Sequence, residues 1–275
     1  MNKNCILILF LWGCSDYLTQ DEASYNSLLL NGDAWIEIEN RMDEDTDISV
    51  MDGSFTLEFW FTGGNSGSED AAALVSIVDD EGNIKFGIFK NPLSPNTLDF
   101  WLDDELLNPI TLTVDPDLSD DGTFHHLAIT SETDINIYID GKVIKTINGS
   151  TIQLNDSNLI IGGKVNKEHS VTENFWVGHI DEMRLWSTVL DASQIIFHNT
   201  DKDKLAENYE DPHVAALTGI WRFQFTSDSG AVISDETCAI LSQIYTSPEA
   251  TCLTVNDAVI YTVNSGTATF SEEQP

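Results

Sequence analysis

The sequence predicts an all-β protein built as a sandwich of two antiparallel sheets. From residue 27 onward, short runs rich in β-branched and aromatic residues alternate with polar turn residues. Residues 54–62 alternate strictly, which places one apolar face against a core. That face comprises Phe55, Leu57, Phe59 and Phe61. Helical signal is confined to about 191–199, with weaker signal at 201–208 and 212–217. Many short strands followed by one or two short helices are typical of a β-sandwich.

The predicted strands follow one another with short connections. They are residues 27–31, 34–39, 54–62, 74–78, 83–89, 97–102, 110–114, 123–131, 134–140, 142–147, 159–161 and 175–186. Asn31-Gly32-Asp33 lies between the first two runs and predicts a tight hairpin. Asp140-Gly141 predicts another hairpin between later strands. Residues 123–131, 134–140 and 142–147 are therefore expected to form a meander.

Residues 178–195 change their hydrophobic period within one run. The first part is strand-like, and its last strand residue is Trp186. Asp191 then has the position of a helix N-cap, with Gln194 three residues later as in a capping box. Because adjacent residues of a regular strand face opposite sides, we expect Asp181 and Glu182 to point apart. This expectation argues against the two carboxylates acting in one catalytic site.

The charge balance is strongly acidic. The chain of 275 residues has 12 Lys and Arg against 46 Asp and Glu, a net charge of −34. Such a field repels nucleic acid phosphates and anionic lipid, so we expect no nucleic acid partner. It favours cations, and Ca²⁺ is the hard cation that carboxylates and carbonyls bind well. Solubility in a salty medium is the alternative explanation. No apolar run is long enough to predict a membrane-spanning helix.

Residues 1–13 have the pattern of a secretory signal, with Lys3 followed by a short apolar run. The segment Leu11-Trp12-Gly13-Cys14 resembles the lipoprotein box of bacteria, although that box usually has a small residue where Trp12 stands. The resemblance implies removal of 1–13, lipidation of Cys14, and an acidic tether over 14–26. It also implies a location in the bacterial cell envelope, at the outer membrane or cell surface, with membrane contact only through the lipid. An ordinary secretory peptide is the alternative.

The remaining cysteines predict one disulfide. With the signal removed and Cys14 carrying lipid, Cys238 and Cys252 are left in a compartment where disulfides persist. We predict a Cys238–Cys252 bond, which would stabilise the fold by roughly 3 kcal/mol through chain entropy. Two free buried thiols are the alternative.

Several segments resemble, in the expected order, the laminin-G-like jelly roll of the concanavalin A-like superfamily. They are 27–33 with 36–38, 55–60, 124–141 and 178–195. Phe124 stands where that family often has Trp. The resemblance implies a jelly-roll sandwich over 27–235. Residues 236–275 contain strand-like runs at 239–245 and 258–263, which we expect to form an appended hairpin or tail.

The resemblance implies a binding domain and not an enzyme. Hydrolases of this class place an acid and a nucleophile on one strand, both facing a cleft. No predicted strand has a Glu-x-Asp-x-Glu pattern, so we name no catalytic residue. We expect a non-catalytic envelope protein whose partner is a glycan or an extracellular protein. A glycoside hydrolase or lyase on the same fold, and a structural surface or assembly protein, are the alternatives.

Two features are candidates for metal binding. The resemblance implies a Ca²⁺ ion held by Asp181 with an oxygen from Asn31 or Asp33. A hydrogen bond from Asp181 to neighbouring backbone is the alternative. The 6 histidines show no metal-ligand spacing except the adjacent His125 and His126, which point to opposite faces. We expect His126 to be a structural residue at the edge of a sheet.

Aromatic residues with polar neighbours are candidates for sugar binding, because flat apolar rings stack on sugar faces. The candidates are Trp60, Trp101, Tyr138 and Trp176. Ordinary packing in the core or at its rim is the alternative for each ring.

Overall fold

A computed structural model describes the body of the chain. It covers residues 27–32, 34–38, 54–63, 71–91, 97–111, 122–153, 157–166, 168, 170, 172–200, 216–221, 232–233, 258–262 and 268–271. The elements are, in chain order, β1 (Ser27–Asn31), β2 (Ala34–Ile38), β3 (Phe55–Thr62), β4 (Ala72–Val78), β5 (Ile84–Lys90), β6 (Thr97–Leu102), β7 (Glu105–Thr111), β8 (Phe124–Ser131), β9 (Asp134–Ile139), β10 (Lys142–Asn148), β11 (Leu159–Ile161), β12 (Lys164–Val165), β13 (Thr172–Glu173), β14 (Val177–Trp186), α1 (Ala192–Thr200), β15 (Leu217–Trp221), β16 (Val232–Ile233), β17 (Ala258–Thr262) and β18 (Ala268–Ser271).

The strands form two large antiparallel sheets. The first has the order β10-β9-β8-β3-β14-β1-β18, with β15 paired to the second half of β14. The second has the order β16-β17-β2-β11-β4-β5-β6-β7. Strands β12 and β13 form a separate two-stranded ribbon. The predicted sandwich of two antiparallel sheets is confirmed.

The main core lies between the two sheets. The alternation of β3 is as predicted, with Phe55, Leu57, Phe59 and Phe61 in this core. Facing side chains from β2, β4, β5, β6 and β11 of the second sheet complete it. Aliphatic and aromatic residues recur at every second position because the core lies on one side of each strand.

The predicted opening hairpin is wrong. Strand β1 pairs with β14 and β18 in the first sheet, whereas β2 pairs with β11 and β17 in the second. Gly32, with φ of 84°, lies in the turn that takes the chain from one sheet to the other. A turn motif predicts that the chain reverses direction, but it does not predict that the two strands join the same sheet. Both strands bury apolar residues in the same core. They therefore cover it from opposite sides.

The C-terminal strands are part of the sandwich and not an appended hairpin. Strand β17, which confirms the predicted run at 258–263, lies between β16 and β2 in the second sheet. Strand β18 pairs with β1 at the edge of the first sheet. The predicted run at 239–245 lies outside the described residues. Alternation identifies a strand but not its partner, which is why this placement could not be predicted.

The second face of β3 is buried as well, because α1 packs over this side of the first sheet, where its His198 contacts Glu58. A small cluster of apolar residues fills this layer. It comprises Ala128, Tyr138, Trp186, Leu190, Ile195, Leu217 and Ile220. The predicted cap of α1 is confirmed, since the Asp191 carboxylate accepts the backbone N–H groups of Ser193 and Gln194 at 2.8 and 3.0 Å. The Gln194 side chain accepts the Asp191 N–H at 2.7 Å.

Other strand boundaries are close to those predicted, except in β7. This strand begins at Glu105 and not at residue 110. Pro109 obscures the strand pattern in the sequence, but an edge strand tolerates proline because one row of N–H groups there has no ladder partner. In the described part of the chain, no helix is long and apolar enough to span a membrane.

Candidate functional site

A β-bulge interrupts β14 within the segment whose sequence changes period. Asp181 stands opposite Trp60, and Arg184 stands opposite Glu58. Two residues of β14 therefore face one residue of β3 between these pairs. Glu182 is in the bulge and has a left-handed backbone, with φ of 35°.

The bulge overturns the expectation that Asp181 and Glu182 face opposite sides. Asp181 is in register with Trp60, on the side of the first sheet away from the main core. Glu182 bonds to the Arg184 side chain, which is on the same side. An extra residue resets the alternation, so neighbouring carboxylates share one face.

Glu58 is the centre of a buried polar cluster on this face. Its carboxylate lies 3.3 Å from Nη1 of Arg184, 3.1 Å from Nε1 of Trp186 and 2.9 Å from Nδ1 of His198. Nε2 of His126 lies 3.4 Å away. Burial alone would raise the pKa of Glu58, but His198, His126 and Arg184 together hold it well below its ordinary value.

Arg184 joins the two glutamates of this cluster. Its Nε donates to Glu182 at 2.9 Å, and Nη2 also donates to Glu182. The guanidinium lies 4.9 Å from the ring centre of Trp60, in cation–π geometry. Burial alone would lower the pKa of Arg184, but Glu182 and Glu58 raise it above its ordinary value. Arg184 is therefore charged and ion-paired within the protein.

This cluster fits a structural role better than a catalytic one. Glu58 and Arg184 are completely buried, and Glu182 is nearly so. Their charged groups bind one another beneath α1, whereas a catalytic carboxylate must contact substrate. The cluster joins β3, β8 and β14 to α1 through His198.

The structure does not bring together Asp181 and Asn31, which were predicted to share a Ca²⁺ ion. Asn31 pairs with Val177, so four residues of β14, about 13 Å, separate its position from Asp181. Oδ1 of Asp181 accepts the Glu182 N–H at 2.8 Å, as in the alternative interpretation. Among the described residues, no group of three His, Cys, Asp or Glu could hold a metal ion. Asp33 lies outside those residues, and Ca²⁺ binding through it stays a prediction.

Three of the four predicted sugar-binding rings are buried. Trp60 is 5%, Tyr138 6% and Trp176 0% exposed, so none offers an open face. The expectation of exposure was wrong for these rings because each is packed: Trp176 lies in the main core, Tyr138 in the apolar cluster on the other side of the first sheet, and Trp60 against Arg184 and His126. Trp101 in β6 is the candidate that remains partly exposed.

Trp101 lies on the outer face of the second sheet. It pairs with Leu106, which is 50% exposed, on one side and with Gly87 on the other. Its ring packs edge-to-face against Phe89, with centroids 6.5 Å apart. Gly87 allows this arrangement, because a Cβ there would lie only 2.3 Å from the Phe89 ring. The Trp101 ring is therefore held by packing while part of it faces solvent.

A carboxylate lies beside this ring. Asp99 is two residues before Trp101 and has the same orientation in β6. Its two oxygens accept the side-chain N–H groups of Asn91 at 3.0 and 3.3 Å. We define the Trp101 face as Asn91, Asp99, Trp101 and Leu106. Asn91 and Leu106 were not predicted from the sequence, and Asp99 was not assigned to a site, although the alternation of residues 97–102 places it on the same face as Trp101.

The remaining predicted residues have the following positions. His126 is not at a sheet edge, since β8 lies between β3 and β9, and its ring centre is 4.4 Å from that of Trp60. The opposite orientation of His125 is confirmed, because it is in register with the inward-facing Phe61. The predicted lipid site Cys14 and disulfide Cys238–Cys252 lie outside the described residues.

Comparison with known proteins identifies the family. The concanavalin A-like lectin/glucanases superfamily matches residues 31–196, more than half of the chain. The chain belongs to this superfamily. No curated protein matches the sequence.

Several solved structures are similar to this concanavalin A-like chain. A sialidase from Trypanosoma rangeli matches with a TM-score of 0.50 at 14% identity, over 65% of this chain and 28% of that one. A putative carbohydrate binding protein from Bacteroides ovatus matches with a TM-score of 0.48 at 14% identity, over 89% and 62%. A SAP-like pentraxin from Limulus polyphemus matches with 0.46 at 11% identity, over 65% and 83%.

The buried cluster of this concanavalin A-like chain predicts a large effect of Arg184→Met. The change leaves two buried glutamates without their cation, and we expect the free energy of unfolding to fall by about 3–5 kcal/mol. Lys85→Met is the control, because Lys85 is 44% exposed and pairs with Asp79 at 3.1 Å. It should cost less than about 1 kcal/mol. Urea denaturation measures both values, and equal small losses would contradict the assignment.

His126 predicts a loss of stability on mild acidification. Burial lowers the pKa of His126 below 6.5, although Glu58 opposes the shift, while Arg184 and His198 add to it. Unfolded His126 therefore binds a proton at a pH where the folded ring does not, so stability falls as pH decreases below 6.5. Glu58 contributes to the loss of stability only at lower pH, because its pKa is lowered in the folded protein. Denaturation across this range should show a shallower loss for His126→Gln, and an unchanged slope would refute the prediction.

Proposed function

We propose that the chain is a non-catalytic domain that binds glycans at the Trp101 face. The observation that carries the proposal is the combination of a partly exposed Trp101 ring, the apolar Leu106 beside it and the Asp99 carboxylate held by Asn91. An extracellular protein partner on this face is the alternative.

The chemistry of the Trp101 face suits sugars. A sugar ring presents C–H groups on its faces, which pack on an aromatic ring, and hydroxyls at its edge, which need hydrogen-bond partners. Trp101 offers the first kind of contact, and the Asp99 and Asn91 side chains offer the second. Trp101 and Asp99 belong to one strand within a sheet, so little ordering is needed when a ligand binds.

The buried cluster supports the non-catalytic part of the proposal. Asp181 and Glu182 share a face through the bulge, yet both are buried. Glu182 is paired with Arg184, and Asp181 caps the backbone of its neighbour. Carboxylates used in this way are poor candidates for hydrolysing a glycosidic bond, which requires them on either side of a substrate.

Trp101→Ala should weaken glycan recognition while preserving the fold. Glycan-array screening of the wild-type protein identifies a ligand, and calorimetry should then show at least about tenfold weaker binding by the variant, because the stacking surface is lost. Phe197→Ala is the matched control, since Phe197 is an exposed ring on α1. Binding that survives in Trp101→Ala would contradict the proposal. Recognition of a protein but no glycan would favour the alternative.

We also propose that a lipid on Cys14 holds the domain at the cell envelope. The support is the apolar signal followed by Leu11-Trp12-Gly13-Cys14. Cys14→Ser should prevent incorporation of labelled palmitate and release the protein from the membrane fraction. Cys5→Ser should leave both unchanged, because Cys5 lies in the removed signal. Equal labelling of the two variants would refute the lipid site.

A further inference from the structure

We propose that the Trp101 face selects glycans carrying free protonated amines, such as polymers of deacetylated hexosamine, over neutral and anionic glycans. This inference rests on the proposed function, because it uses the same face. The selectivity comes from the charges that surround the ring.

Carboxylates dominate the turns next to Trp101. The described acidic residues there are Asp79, Asp80, Glu81, Asp103 and Asp104, and the strands beside the turns add Asp99 in β6 and Glu105 in β7. The described cations near these turns are both in β5: Lys85, which pairs with Asp79, and Lys90, which is buried. The immediate surroundings of the ring are therefore strongly negative.

Backbone contacts hold the turns close to the end of β6. The Asp104 N–H donates to the Ile84 carbonyl at 2.7 Å, and the Asp103 N–H donates to the Lys85 carbonyl at 3.1 Å. Asp103 follows Trp101 by two residues, in the turn after β6, so the two Cα atoms are at most about 7 Å apart. This is within the screening length of about 8 Å at physiological salt, so these charges act on a ligand at the ring.

Each class of glycan responds differently to this environment. Uronic and sialic acids carry carboxylates, which the surrounding charge repels. Neutral N-acetylated sugars stack on Trp101 but gain nothing from the field. A protonated amine gains a charge-assisted hydrogen bond to Asp99 and a cation–π contact with Trp101. Two different physical interactions thus favour the same functional group.

Calorimetry with three defined oligosaccharides tests the inference. The probes are hexamers of β-1,4-glucosamine, β-1,4-N-acetylglucosamine and α-1,4-galacturonate, at a pH where the sugar amines are protonated. We expect the glucosamine hexamer to bind at least about tenfold more tightly than the acetylated hexamer. The galacturonate hexamer should show no binding, and added salt should weaken the glucosamine complex.

Charge variants separate the local field from the net charge. Asp103→Asn combined with Glu105→Gln should weaken glucosamine binding about three- to tenfold. Glu132→Gln combined with Asp134→Asn removes two charges near β8 and β9 of the other sheet, and should leave binding unchanged. An equal loss of glucosamine affinity in both double variants would refute selection by the charges near Trp101.

The outcomes also distinguish this inference from the proposed function. If the acetylated hexamer binds as tightly as the glucosamine hexamer, and Trp101→Ala abolishes both, the glycan site stands and amine selection is wrong. If glucosamine binding is unaffected by Trp101→Ala, the inference is overturned at this face. If the galacturonate hexamer binds best, amine selection is again overturned.

Discussion

The buried ion pair between Glu58 and Arg184 is the interaction on which the rest of the structure depends. It lies where β3 and β14 cross the centre of the first sheet, beneath α1. Two charges removed from water are stable only when each is fully paired, and here Glu182 and His198 complete the pairing. The helix and the bulge therefore depend on one another, because each supplies a partner to the same cluster.

This cluster also limits where a ligand can bind. The first sheet carries apolar side chains toward the main core and the ion-paired layer beneath α1 on its other side. The outer surface of β5, β6 and β7 in the second sheet keeps Trp101 partly open to solvent. Because α1 covers the outer side of the first sheet, the candidate binding surface lies on the opposite side of the sandwich. A shared superfamily establishes the fold, whereas the ligand depends on such local chemistry.

Sequence reasoning succeeded where a signal was local. The alternation of β3, the cap at Asp191 and the turn at Asp140-Gly141, with φ of 49° and 72°, depend on neighbouring residues. Sequence reasoning failed where strand pairing depended on segments far apart in the chain. The opening turn was expected to form a hairpin, and the C-terminal strands were expected to lie apart. Long-range packing determines which strands pair, and the residues of one strand do not indicate its partner. For the candidate site, alternation placed Asp99 and Trp101 on one face of β6, but only tertiary burial distinguished Trp101 from the other aromatic candidates.

The sequence by itself determined the all-β class, the strands of the sandwich, the capped helix and the acidic charge of the surface, because composition, periodicity and capping act over a few residues. The tertiary structure decided which carboxylates share a face and which rings meet solvent. The bulge at Glu182 reset the strand alternation, and α1 covered the polar side of β3. Both effects arise because segments far apart in the chain pack in one buried layer. A local sequence pattern does not indicate such packing.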